Sequence, residues 1–188
     1  MKSRICIALF LIASVPVCYS QQSSLPARLA IPDTKVLNQN GQHIHFTSGL
    51  LKNRIAVINT FFTNCVAICP ITQQNFSRLA KSLGDRLGQD VVLVSISVDP
   101  ANDTPERMKE WAAKFNVGQG WTLVSGAKPE IVLLLKSLGL FAPGVKRHQT
   151  AVLIGTEARG WMRASGFASA DKLEKIVESI TPPKRKGN

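Results

Sequence analysis

From Ile55 onward the chain alternates two kinds of segment, and that alternation restricts its fold more than any other feature. Residues 55–62 and 91–98 are near-continuous apolar runs rich in Val and Ile. Strands covered on both faces have this composition. Four other segments obey helical spacing. Phe76, Leu79, Ala80 and Leu83 fall at i, i+3, i+4 and i+7, as do Met108, Trp111, Ala112 and Phe115. Ile131, Leu134, Leu135 and Leu138 repeat the pattern, and so do Leu173, Ile176, Val177 and Ile180. Each set is one apolar stripe that needs a sheet to cover it. Helix starts are marked too. Pro70 suits a first helical position, where no backbone donor is required. Asp103-Thr104-Pro105-Glu106 supplies a capping Asp103, a first-turn Pro and an acid three residues on. Ser169 caps the last helix. Further strands are expected at residues 121–124, 150–154 and 161–164. The resulting order, β-α-β-α-β-α-β-β-α, predicts an α/β domain with a largely parallel sheet, helices on both faces and a hairpin at its end.

That order is also the order of the thioredoxin fold. Ahead of it, residues 36–46 carry Asn38-Gln39-Asn40-Gly41 between short alternating segments, which predicts a β-hairpin. The expected architecture is thioredoxin-like: a central mixed sheet flanked by helices on both faces, with an N-terminal β-hairpin extension. Residues 1–20 read as a secretory signal, with Lys2 and Arg4 ahead of a short apolar stretch and small residues at Cys18 and Ser20. The stretch is shorter than the roughly 20 apolar residues needed to span a bilayer. Residues 21–30 read as a linker, 31–181 as one thioredoxin-like domain and 182–188 as a basic tail. The expectation is an exported, periplasmic protein, soluble after signal cleavage or tethered by that segment, membrane-peripheral at most and monomeric.

The formal net charge is +11. A basic chain invites a nucleic-acid reading, but no Arg/Lys stripe interleaved with aromatics is present, and Lys184-Arg185-Lys186 contributes three charges in the tail alone. The charge instead suits a basic exported protein that meets an acidic partner. His43 and His45 alternate on the hairpin and share one strand face, read as a solvated face.

With the signal removed, Cys65 and Cys69 are the remaining cysteines, four apart where the first core strand becomes a helix. Ligands of α/β sheets gather beyond the carboxyl ends of strands. In a helical turn, residues at i and i+4 share a face. The helix dipole there favours thiolate. Such a pair can hold a soft metal or close into a disulfide in an oxidising compartment. Two thiolates suit Cu(I), whereas structural zinc wants four ligands and no second Cys/His cluster supplies them. His148 is the candidate third ligand, because in a thioredoxin topology the loop before the strand at 150–154 lies beside the cysteine turn. Asp99 reads as either a turn former or an acid behind the site.

These segments resemble the Sco/SenC family of exported thioredoxin-fold proteins. The matching residues are Phe62-Thr63-Asn64-Cys65, then Cys69-Pro70; Ser97-Val98-Asp99-Pro100, then Asp103-Thr104-Pro105; and His148 leading into an apolar strand. The resemblance implies copper held by Cys65, Cys69 and His148. It also implies a partner, the copper-bearing subunit of cytochrome c oxidase or another exported copper protein, to which the chain delivers copper or whose cysteines it reduces. Many members carry Pro-Asp where this chain has Val66-Ala67, so the acid often proposed to assist transfer is missing. The competing reading is a thiol-disulfide oxidoreductase with Cys65 and Cys69 as its redox pair, acting on exported proteins. A peroxiredoxin-like peroxidase and a purely structural disulfide fit the residues less well.

Overall fold

The computed structural model describes residues 27–147 and 150–181. The signal segment, the first six residues of the linker, His148 and the basic tail lie outside the described residues. Seven strands form one sheet in the order β2-β1-β5-β4-β3-β6-β7. The strands are β1 (Lys35–Asn38), β2 (His43–His45), β3 (Ile55–Phe61), β4 (Val91–Ser97), β5 (Trp121–Ser125), β6 (Ala151–Thr156) and β7 (Gly160–Ser165). The helices are α1 (Ile68–Leu83), α2 (Pro105–Lys114), α3 (Lys128–Ser137) and α4 (Ala170–Ile180).

Every residue of β3 and β4 is buried, as their unbroken apolar runs require. The two pair in parallel from Ile55 opposite Val91 to Phe61 opposite Ser97, and β4 pairs in parallel with β5. The sheet is mixed, as the thioredoxin-like expectation has it, and not largely parallel, as the alternation by itself suggests. β6 runs antiparallel to β3, β7 antiparallel to β6, and β1 antiparallel to β5. An apolar run buried on both faces reads the same in either direction, so the alternation alone does not reveal this.

Alternate residues of β3 face opposite layers. Ile55, Val57 and Phe61 pack with Phe76, Leu79 and Leu83 of α1, Met108 and Trp111 of α2, and Leu173, Val177 and Ile180 of α4. Ala56 and Ile58 pack with Ile131, Leu134 and Leu135 of α3 and with a helical turn at Phe46–Leu51. All four stripes therefore lie against the sheet. Complete burial of each such Leu, Ile, Val, Phe or Met side chain is worth ~1.5–3 kcal/mol, which is why the stripes dominate the layer arrangement.

The predicted hairpin is present, with Val36 opposite Ile44, and it joins the sheet at the β5 edge. Its turn uses Gly41 at φ 76°, and Asn38 Oδ1 accepts from the amides of Asn40 and Gln42. His43 and His45 are exposed, as a solvated strand face requires. Ala27, placed in the linker by the sequence pattern, exchanges two backbone hydrogen bonds with Trp161 and so is tied to β7. No helix among the described residues is long and apolar enough to cross a membrane.

Candidate metal centre

The site forms where β3 ends. After Phe61 the chain makes a turn through Thr63 and Asn64, closed by the Cys65 amide donating to the Phe62 carbonyl at 3.1 Å. Cys65 follows, and α1 begins at Ile68. Cys69 therefore sits inside the first helical turn, and Pro70 takes the third helical position rather than the first. The helix has no side-chain cap of the ordinary oxygen kind. Instead the Cys69 amide points at Cys65 Sγ, 3.3 Å away. The sulfur thus occupies the place of a capping acceptor at the helix start, where backbone donors otherwise lack partners.

Both cysteines are thiols, not joined in a disulfide, and both are buried: Cys65 is 8% exposed and Cys69 1%. Burial pushes the Cys69 thiol well above its usual range, and the neighbouring Cys65 thiol adds to the rise. The Phe62 backbone amide acts in the opposite direction and is outweighed. The dipole argument from sequence thus loses to desolvation at Cys69. A cation placed between the sulfurs reverses that balance, because its charge favours the deprotonated ligand.

The turn is held from outside by the segment entering α2. Asp103 Oδ1 accepts from the Thr63 amide at 3.0 Å and from Thr63 Oγ1 at 2.6 Å, and Oδ2 accepts from Ser97 Oγ at 2.5 Å. Asp103 is 2% exposed. It does not cap α2, as the sequence pattern suggested. Thr104 is the cap, its hydroxyl accepting from the Arg107 amide. Arg107 in turn donates to Asn64 Oδ1, a second tie between α2 and the turn. Asp99 proves to be the turn former. Its carbonyl accepts from the amides of Asn102 and Asp103, and its carboxylate from the Asn102 side chain.

Beneath Cys69, on the same face of α1, the sequence reading missed a buried polar group. Gln73 meets Ser95 Oγ at 3.5 Å, and Trp121 Nε1 donates to the same hydroxyl at 3.1 Å. The available signal was Gln73 itself, a polar residue within an apolar stripe and one helical turn beyond Cys69. Asn59, opposite Ser95 on β3, is buried with neither end of its amide hydrogen-bonded.

The structure brings Cys65 and Cys69 together, while His148 falls outside the described residues. What is described is the approach to it. The antiparallel register of β6 on β3 sets Ile58 opposite Leu153 and Ala56 opposite Gly155. The start of β6 is therefore at the end of the sheet where β3 delivers the cysteines. Thr150, two residues after His148, accepts from the Gly166 amide at 3.0 Å, which ties the entry of β6 to the loop after β7. Among the described residues, no cluster of three or more His, Cys, Asp or Glu side chains is placed to hold a metal.

The SCO1/SenC family model matches residues 26–176. A Stutzerimonas stutzeri protein named for copper binding is 30% identical over 172 residues, covering 86% of this chain and 81% of that protein. The SCO1 protein homolog of Bacillus subtilis is 33% identical over 110 residues, covering 58% of this chain and 55% of its own length. Among solved structures, BsSco, described as a member of the Sco family of cytochrome c oxidase assembly proteins with a disulfide switch, superposes with a TM-score of 0.70. It is 27% identical, over 85% of this chain and 97% of that one. A SCO1/SenC family lipoprotein of Bacillus anthracis gives a TM-score of 0.69 at 25% identity, over 82% and 96%. With its thioredoxin-like sheet, its cysteine pair at the β3–α1 junction and a family match over most of its length, the chain belongs to the SCO1/SenC family.

Proposed function

We propose that this chain is an exported copper-binding protein that serves the binuclear copper site of cytochrome c oxidase, with copper as its cargo. Cys65, Cys69 and His148 hold the ion. The observation that carries this reading is the pair of buried, unbridged thiols at the start of α1, with the Cys69 amide 3.3 Å from Cys65 Sγ. Soft sulfur donors with an imidazole nitrogen are a ligand set that copper favours. The entry of β6 at the same end of the sheet supports His148 as the nitrogen donor, and the copper-binding name of the Stutzerimonas relative supports the metal. Because Cys69 is held as a thiol in the metal-free protein, loading releases a proton from it, so affinity rises with pH. The apolar, basic N-terminal segment at 1–20 supports export.

The same pair supports a second role, reduction of the target's cysteines before loading. Cys65 is the less deeply buried residue of the pair, and its sulfur attacks the target disulfide as thiolate, forming a mixed disulfide and releasing one target thiol. Cys69 then attacks Cys65 Sγ, closes the Cys65–Cys69 disulfide and releases the second thiol. Two electrons pass from this chain to the target.

Anaerobic titration with Cu(I) tests the reading. One ion per chain is expected. Cys65→Ser and His148→Ala are each expected to weaken binding by more than the roughly 10–100-fold that loss of an outer hydrogen-bond partner costs. Unchanged affinity in His148→Ala would remove the histidine from the site.

A further inference from the structure

Four of the five large hydrophobic side chains that are exposed among the described residues surround the cysteine pair. Val66 is 93% exposed, Ile68 37%, Ile71 53% and Phe167 54%, while Leu133 lies elsewhere on α3. Val66 and Ile68 stand between the two cysteines, and Ile71 is in the first turn of α1. Phe167 comes from the loop between β7 and α4. Asn75, one turn beyond Ile71, holds that loop against α1 by donating to the Ala168 carbonyl at 3.1 Å. The Gly166 amide holds it to Thr150. The apolar side chains thus form a collar around sulfurs that are themselves buried. Exposed apolar side chains gathered at one place on a monomer mark an interaction site.

The chain as a whole is strongly basic, with a formal net charge of +11. Residues 62–83, 139–156 and 160–170 contain no Asp or Glu, although the chain has 12 acidic residues. They contain Arg78 on α1 and Arg147 ahead of β6, while Asp171 opens α4 just beyond the Phe167 loop. Arg107 reaches the turn before Cys65 through Asn64. Of the acids in the adjoining segment, Asp103 is buried against Thr63 and Ser97, while Asp99 and Glu106 face solvent with hydrogen bonds to Asn102 and Thr104. We propose that the collar docks an apolar, cysteine-bearing loop on an acidic partner protein, an inference that rests on the copper-transfer reading above. The buried position of Cys65 and Cys69 requires the acceptor's sulfur to enter through the collar. The apolar rim then excludes water while ligands exchange, and the net positive charge of the chain favours an acidic surface.

The test compares copper-loaded protein with the double variant Ile71→Gln/Phe167→Ser, neither residue being a proposed ligand. Both are titrated by calorimetry with the soluble domain of the oxidase copper-bearing subunit, at low and high salt. Copper per chain and melting temperature are measured on the same samples. The expected result is unchanged copper and melting temperature in the variant, a Kd raised by roughly tenfold or more, and wild-type binding that weakens with salt. Equal Kd values, or no binding by the wild type, would overturn the proposal. So would a collar-dependent association with phosphatidylglycerol vesicles or with a second copy of the chain in place of the subunit. Failure of wild-type copper loading is read separately, in the metal content, and counts against the copper reading rather than the surface.

Discussion

Replacing Asp103 by Ala tests how the cysteine turn is held. The carboxylate is buried and accepts three hydrogen bonds: from the Thr63 amide, from Thr63 Oγ1 and from Ser97 Oγ. A hydrogen bond to a charged group contributes about 1.5–3 kcal/mol, and a buried donor left unpaired costs about 1–3 kcal/mol. The three do not add. Hydroxyl rotors can turn, whereas the Thr63 amide is fixed and is left unpaired. The expected loss is therefore about 3 kcal/mol rather than the sum of three bonds. Asp103→Asn separates geometry from bulk. Its carbonyl oxygen still accepts from Thr63, and its amide can donate to Ser97 Oγ, which already accepts from the Asp99 amide and has a second lone pair. The expected loss for Asn is about 1 kcal/mol. Urea unfolding of the reduced, metal-free protein, with the slope checked for constancy, gives both values. An Ala variant within about 0.5 kcal/mol of wild type would refute the claim that this carboxylate ties the turn to α2, and an Asn variant as unstable as Ala would refute the claim that an amide can replace it.

Asp33 accepts from the Ser48 hydroxyl and amide and the Thr47 amide, and the Ser48 hydroxyl above all holds its carboxyl well below the usual carboxylate range. With the folded value depressed, this contribution is present above the unfolded value near pH 4 and is lost as pH falls toward the folded one. Faster hydrogen exchange at the Thr47 and Ser48 amides as pH drops below that point, after correction for intrinsic rates, is the expected signature. Asp33→Asn should abolish that pH dependence. Gly155→Ala should destabilise by several kcal/mol, since its Cβ would lie 2.2 Å from the Gly160 carbonyl oxygen and 2.8 Å from Trp161 Cα, both backbone atoms of the paired strand. Thermal melting measures it, and a loss below about 1 kcal/mol would show that β6 and β7 can separate locally. Because burial raises the Cys69 thiol, its alkylation by iodoacetamide in metal-free protein should not follow the titration of an ordinary cysteine near pH 8.5. Peptide mass spectrometry across pH 7–10 reads this directly, and an ordinary profile at Cys69 would contradict the burial argument.

The helical stripes were legible because spacing of three and four residues is decided locally and then confirmed by the sheet. Phe76, Leu79 and Leu83 face the core from α1 as their spacing requires. The hairpin was legible from Asn38 to Gly41 for the same reason. What sequence rules misplaced depends on partners far away in the chain. Asp103 sits where a local rule places a cap, yet its carboxylate is taken by Thr63, 40 residues earlier. Pro70 suggested a helix start at itself. The helix begins at Ile68 because Cys65 Sγ accepts the Cys69 amide, a sulfur cap that the usual list of oxygen-bearing residues does not contain. A mixed sheet was expected from the thioredoxin-like order, whereas the pairing of β6 with β3 and of β1 with β5 required the register. The cysteine pair was legible from its spacing, whereas its burial and the apolar collar around it needed the loop after β7 to be placed.

X-ray absorption at the copper edge of the loaded protein measures the central assertion at its source, the atoms bonded to the metal. A first shell of two sulfurs and one imidazole nitrogen is the predicted result, with the imidazole scattering lost in His148→Ala. A shell of nitrogen and oxygen alone, or two sulfurs with no change on removing His148, would contradict it.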